Sequence, residues 1–243
     1  GIPILPERVA GNHTRLIGAS AAARAAIIEE KIRHSEPRIW IIVTSTASLT
    51  ESLAEDLKLF RRASGETVVE LNCVILPVLP EDASAGPGNF EPASDRLTTL
   101  SAVQNFKPVK GEGLVVLTTP RALDQPFPSP DSIRALKLHL QKGSSIPFGQ
   151  CVDTLNRFNY DAESICEAPG QMAIRGGILD IYPVTADRPY RIDFLGNDIE
   201  SIRTFDPVTQ RSGEPMDSVS VTPSPTMDLP ESTDGIAGFL PNG

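Results

Sequence analysis

The sequence predicts an α/β domain built on a parallel sheet, followed by a small α+β domain whose sheet is mostly antiparallel. Three observations carry this. Two nearly unbroken apolar runs, Arg38 to Thr44 and Gly113 to Thr118, alternate with amphipathic stretches, as parallel strands buried on both faces by crossover helices do. From Glu163 onward the pattern changes to strands joined by Pro and Gly turns, with Tyr190 to Leu195 alternating at a period of two. Between the two patterns, Pro126-Phe127-Pro128-Ser129-Pro130 is a stiff connector that can continue neither a helix nor an interior strand. The expected division is residues 1–128, residues 129–225, and a tail of residues 226–243 that is a linker or the start of a truncated return segment.

Thr14 to Ile17 reads as a first strand turning at Gly18 into a helix over Ser20 to His34, with Ser20 as N-cap. After Pro37 and the strand ending at Thr44, Leu49, Leu53, Leu57 and Phe60 stripe a second helix. Thr67 to Leu71 with Val74 to Leu76 offers a third strand. Pro77 to Pro92 reads as a Pro/Gly/acidic loop, and Ser94 to Phe106 as helix before the strand at Gly113. In the second domain Leu136 to Gln141 alternates as a strand, and Val152, Leu155 and Phe158 mark one helix. The stretch from Thr222 to Gly243 is rich in Pro, Ser, Thr, Asp and Gly, with only Ile236, Phe239 and Leu240 to bury.

A formal net charge of −9 with no basic stripe disfavours direct binding to a phosphate backbone, which relies on clustered Lys and Arg. Cys73, Cys151 and Cys166 are widely spaced and odd in number, so they form neither a disulfide framework nor a metal-ligand pair. His13, His34 and His139 have no sequence-local partners at metal-ligand spacing. Without a signal layout or an apolar run near the ~18 residues of a membrane span, the expectation is a cytoplasmic protein that uses no cofactor and touches no membrane. No nucleophile elbow, zinc motif or paired-carboxylate arrangement points to catalysis.

The densest signal is GQMAIRGGILDIYPVTADRPYRIDFLGNDIESIRTFD, from Gly170 to Asp206, with several strands, glycine turns and four arginines. In Tyr190 to Leu195 one face carries Tyr190, Ile192 and Phe194, and the other Arg191, Asp193 and Leu195. An apolar Leu195 on the face of a cationic Arg191 is a common makeup for a protein-binding patch. The run Arg175-Gly176-Gly177-Ile178-Leu179-Asp180-Ile181-Tyr182-Pro183, then Pro189 to Phe194, Ile199 to Arg203 and Phe205-Asp206-Pro207, closely resembles the bacterial transcription-repair coupling factor (Mfd) family and its relative UvrB. Weaker similarity runs from about Thr14 onward.

The resemblance implies a non-catalytic N-terminal module that recruits UvrA in transcription-coupled excision repair. RNA polymerase and DNA would be bound by other modules of the family's full-length members. Arg175, Arg191 and Leu195 match the family's UvrA-contacting positions. Leu195 stands where many relatives carry an aromatic, so ring area is lost there. It further implies that Arg191→Ala weakens UvrA binding and spares the fold. The alternative for Arg175 and Arg191 is internal pairing with Asp180, Asp193 or Asp198, with Leu195 packed under the Gly196-Asn197-Asp198 turn.

A rival class is an ATP-dependent DNA-handling protein of the UvrB type. Gly18-Ala19-Ser20-Ala21-Ala22-Ala23-Arg24-Ala25 sits where a phosphate loop would sit, but Ala23, Arg24 and Ala25 replace its Gly, Lys and Ser/Thr. Gly18, Ser20 and Arg24 are therefore read as a degenerate loop without ATP hydrolysis.

Overall fold

A computed structural model describes residues 21–33, 38–63, 71–80, 87–107 and 113–240. Helix α1 (Ala21–Arg33) precedes strand β1 (Ile39–Val43), helix α2 (Ala47–Ala63), strand β2 (Leu71–Ile75), helix α3 (Pro87–Asn105) and strand β3 (Gly113–Thr118). The three strands are parallel in the order β1-β3-β2, so β3 is central and every one of its residues is buried. Its side chains part the core in two. Val115 and Leu117 join Ala25, Ile32, Leu53 and Leu57 of α1 and α2, while Leu114 and Val116 join Leu97, Leu100 and Val103 of α3. Thr46 caps α2, its hydroxyl accepting the Leu49 N–H at 3.2 Å.

The expected strand at Thr14 to Ile17 and its turn at Gly18 and Ser20 lie outside the described residues. Helix α3 begins at Pro87, well before the expected Ser94, and carries Pro92 inside it. A proline there removes one intrahelical hydrogen bond. The early turn is held by Phe90, which packs on the core of the second region. A Cβ added at Gly170 would stand 2.6 Å from the ring.

The proline-rich connector is itself structured. Helix α4 (Pro120–Asp124), capped by Thr119, leads to strand β4 (Phe127–Pro128), then helix α5 (Pro130–Ala135) with Ser129 as N-cap and proline at its first position. The two short helices are absent from the sequence reading because neither is long enough to show a period.

Strand β5 (Leu138–Gln141), helix α6 (Phe148–Arg157) and strand β6 (Asp161–Ala162) open the second region. A meander follows: β7 (Gln171–Arg175), β8 (Ile178–Ile181), β9 (Tyr190–Leu195), β10 (Asp198–Phe205) and β11 (Ser212–Met216). These form a six-stranded sheet in the order β11-β10-β9-β8-β7-β6, antiparallel except for the β6–β7 pair. Its inner face packs Leu179, Ile181, Ile192, Phe194 and Ile202 against Cys151 and Leu155 of α6. Each fully buried Leu or Ile contributes roughly 1.5–3 kcal/mol.

Strand β12 (Ser218–Val221) pairs with β5, and strand β13 (Glu231–Ser232) pairs with β4. The 3-10 turn Gly235–Phe239 then sets Phe239 into the first region's core, 6.4 Å centroid to centroid from Phe127. Leu229, Ile236 and Phe239 thus lie against the core of the α/β layer.

Candidate partner-binding face

Register places the outer-face side chains of the large sheet in two rows. Ala173, Asp180, Arg191 and Arg203 face one another across β7, β8, β9 and β10, and Arg175, Ile178, Asp193 and Ser201 form the next row. Two tight turns allow this. Gly176 and Gly177 join β7 to β8, with Gly176 at φ +61°, and a side chain on Gly177 would reach within 2.7 Å of the Phe194 carbonyl. Gly196, at φ +65°, starts the two-residue turn from β9 to β10.

Within the first row Asp180 and Arg191 form a covered charge cluster, while Arg203 at the β10 end is exposed. Asp180 is fully buried. Arg191 grips it with two hydrogen bonds, Nε to Oδ1 at 2.7 Å and Nη2 to Oδ2 at 2.8 Å, the fork geometry that a carboxylate fits best. Arg175 Nη2 also donates to Asp180 Oδ2. Arg191 Nη1 donates to the Gln210 carbonyl at 3.1 Å, and the guanidinium lies 4.8 Å from the Phe205 ring centroid. The hydrogen bonds to Asp180 raise the Arg191 pKa further above its ordinary value.

Two loops roof this cluster. In one, Asp206 Oδ1 accepts the N–H groups of Val208 at 3.0 Å and Thr209 at 2.7 Å. In the other, Gln171 Oε1 accepts those of Glu167 and Ala168, both at 2.9 Å. Gln210 Nε2 ties the loops together by donating to the Cys166 carbonyl at 3.3 Å. Cys166, Ala173 and Phe205 are buried beneath as a small second core. Burial pushes the Cys166 thiol up to about 12.

The second row and the turn beyond it are open. The Arg175 side chain is 46% exposed against 16% for Arg191, and Leu195 is 67% exposed. Leu195 does not pack under the following turn. Leu195 and Arg191 share the outer face of β9 but do not adjoin. Four residues along a strand separate them by about 13 Å, and Arg191 is turned into the Asp180 cluster. Arg191→Ala is therefore expected to cost fold stability as well as binding, because it would strip a buried carboxylate of its main partner. Arg24 is exposed on α1, whereas Gly18 and Ser20 lie outside the described residues. Among the described residues no group of three or more His, Cys, Asp or Glu could hold a metal ion. None of their helices is long and apolar enough to cross a membrane.

Residues 138–226, which hold this entire sheet, match the UvrB interaction domain family. Over 209 residues, 86% of its length, the chain is 27% identical to the transcription-repair-coupling factor of Bacillus subtilis (strain 168). It is 29% identical over 211 residues to that of Staphylococcus aureus (strain bovine RF122 / ET3-1), and 28% over 217 residues to that of Staphylococcus haemolyticus (strain JCSC1435). Along most of its length the chain is thus similar to the transcription-repair-coupling factors. It spans about 17% of the length of the first two of these coupling factors and 18% of the third. The stretch shared with the coupling factors takes in the α/β layer as well as the interaction domain.

Proposed function

We propose that this chain is a non-catalytic docking module that recruits a UvrA-type protein in transcription-coupled excision repair, acting in the cytoplasm. The observation that carries the reading is the coincidence of the UvrB interaction domain with a sheet whose open end presents a large apolar side chain, Leu195, on the face that carries Arg175. Leu195 supplies desolvated contact area, and Arg175 supplies a directional donor to a partner carboxylate. Arg191 belongs to the same patch as a positioning residue: it fixes Asp180, which in turn anchors Arg175 at the rim. In this reading RNA polymerase and DNA are engaged by other parts of a full-length coupling factor.

Co-elution of the purified chain with UvrA on a sizing column tests the proposal. A 1:1 complex lost in Leu195→Asp, with an unchanged melting temperature, is the expected outcome. Independent elution of the wild-type chain and UvrA at micromolar concentrations would overturn it. Measurable ATP turnover, abolished by Arg24→Ala, would instead restore the phosphate-loop alternative.

A further inference from the structure

Arg96 of α3 is 3% exposed, yet among the described residues no carboxylate pairs with it. Its Nη1 donates to the Pro77 carbonyl at 3.1 Å and its Nη2 to the Pro126 carbonyl at 3.3 Å, while Nε has no hydrogen-bond partner. The guanidinium stacks 4.3 Å from the Phe127 ring centroid. A buried guanidinium with an unspent donor is costly, because neutral carbonyls replace only part of its hydration. Burial lowers its pKa from 12.5 to about 10, the direction of a cation without a counter-charge.

The same arginine lines a cleft of about 180 Å³ between α3, the connector and the returning strand. Most of the other lining is apolar and includes Leu97, Leu100, Phe127 and Leu229, with Glu231 as the one acidic residue. The wall is built firmly. Gln125 clamps the Leu79 backbone in both directions, each bond 2.7 Å, which holds the loop carrying Pro77 against the one carrying Pro126. Aliphatic cavities of roughly 150 Å³ are large enough to admit benzene.

The geometry points to a binding site for a small carboxylate with an apolar body, its oxygens on Arg96 and its body against Leu97, Leu100, Phe127 and Leu229. The anion supplies the charge that the protein leaves out, and because Nε is closed to solvent in the empty cleft, a shift of the Arg96 side chain accompanies binding and turns its orphaned N–H to one of the oxygens. Glu231 sets a limit on affinity by presenting a like charge in the same cleft. Because β13 supplies part of the lining, an occupied cleft also fastens the returning segment to the α/β layer.

Calorimetric titration of the full chain with benzoate, its neutral isostere benzamide, and inorganic phosphate tests this. Saturable one-to-one binding of benzoate is expected, with benzamide weaker by about tenfold or more, the scale of a charge-assisted hydrogen bond. Phosphate is expected to bind weakly because it leaves the apolar walls unfilled. Arg96→Gln should abolish benzoate binding and Glu231→Gln should strengthen it.

Should Arg96→Gln fail to fold, the wild-type ligand comparison still decides, together with slower amide hydrogen exchange over residues 229–239 when benzoate is added. Equal binding of benzoate and benzamide, no saturable benzoate binding, or wild-type affinity in a folded Arg96→Gln would overturn the assignment. Phosphate as tight as benzoate would overturn the apolar half of it.

Discussion

The outer face of the six-stranded sheet has two ends made from the same strands, and they behave differently. At the roofed end a carboxylate and an arginine satisfy each other under two loops, with Phe205 and Cys166 packed around them. At the turn end Arg175 and Leu195 remain exposed. The difference teaches that an arginine on an outward strand face is not by that fact a surface residue. What decides is whether a loop covers its place on the face, since Arg203, directly opposite Arg191, stays exposed. The roofed end supports the face, and the open end is available to a partner.

The sharpest way to break this division is Asp180→Ala. It leaves Arg191 under the roof and Arg175 at its rim without their shared acceptor, and removing one member of a buried ion pair costs about 3–5 kcal/mol. Urea unfolding should show that loss. A change below about 1 kcal/mol would mean that the cluster contributes little and the roof stands on its apolar contacts alone. Arg191→Ala comes next, at about 2–3 kcal/mol, since Arg175 still reaches Asp180 and partly offsets the loss. Arg191→Lys keeps the charge but not the fork and should recover only part of it. UvrA capture by Arg191→Ala is expected to fall together with stability, which separates a positioning residue from a contact.

At the open end the signs reverse. Leu195→Asp should leave stability within about 0.5 kcal/mol, as surface substitutions usually do, and cost about 2 kcal/mol of UvrA affinity. A fold-stability loss equal to that of Arg191→Ala would erase the distinction between the two ends.

How much of this the chain announces depends on whether the signal is local. The alternation in Tyr190 to Leu195 and the glycine turns fix the faces of β9 and the hairpins, because period and turn chemistry are properties of neighbouring residues. The continuous apolar run at Gly113 to Thr118 likewise marks the central strand with its observed bounds. Register is not local. That Asp180 lies opposite both Ala173 and Arg191 follows from strand pairing, and that Gln210 closes over them follows from a loop 35 residues away in sequence from Arg175.

Arg96 was illegible for the same reason. Within α3 it reads as an ordinary exposed helix arginine, and only the connector and the returning segment bury it. The early start of α3 also escapes the local rules, since Phe90 finds its partner, Gly170, across the molecule.

The smallest effect compares the roof with the inner core through their thiols. Cys151 lies in the core under the sheet and Cys166 under the roof. Burial pushes both up to about 12 from an ordinary 9.0, while Cys73 is raised but only half buried. In the unfolded chain these thiols ionise near the ordinary value, so the native state holds more protons between about pH 9 and 12. Stability then declines with rising pH across that window and is unaffected by these groups below it.

Alkylation at pH 8 resolves the sites one by one. Cys73 should react first. Cys151 should react only at the rate of global unfolding, since the core opens with the whole fold. Cys166 should be as slow as Cys151 if the ion-paired roof opens only with the sheet, and faster if the roof lifts alone. Asp180→Ala should accelerate Cys166 more than Cys151, because it removes what holds the roof down. Equal acceleration of both thiols would show that the covered end and the inner core unfold as one unit, and that the boundary on this face lies only at the turn.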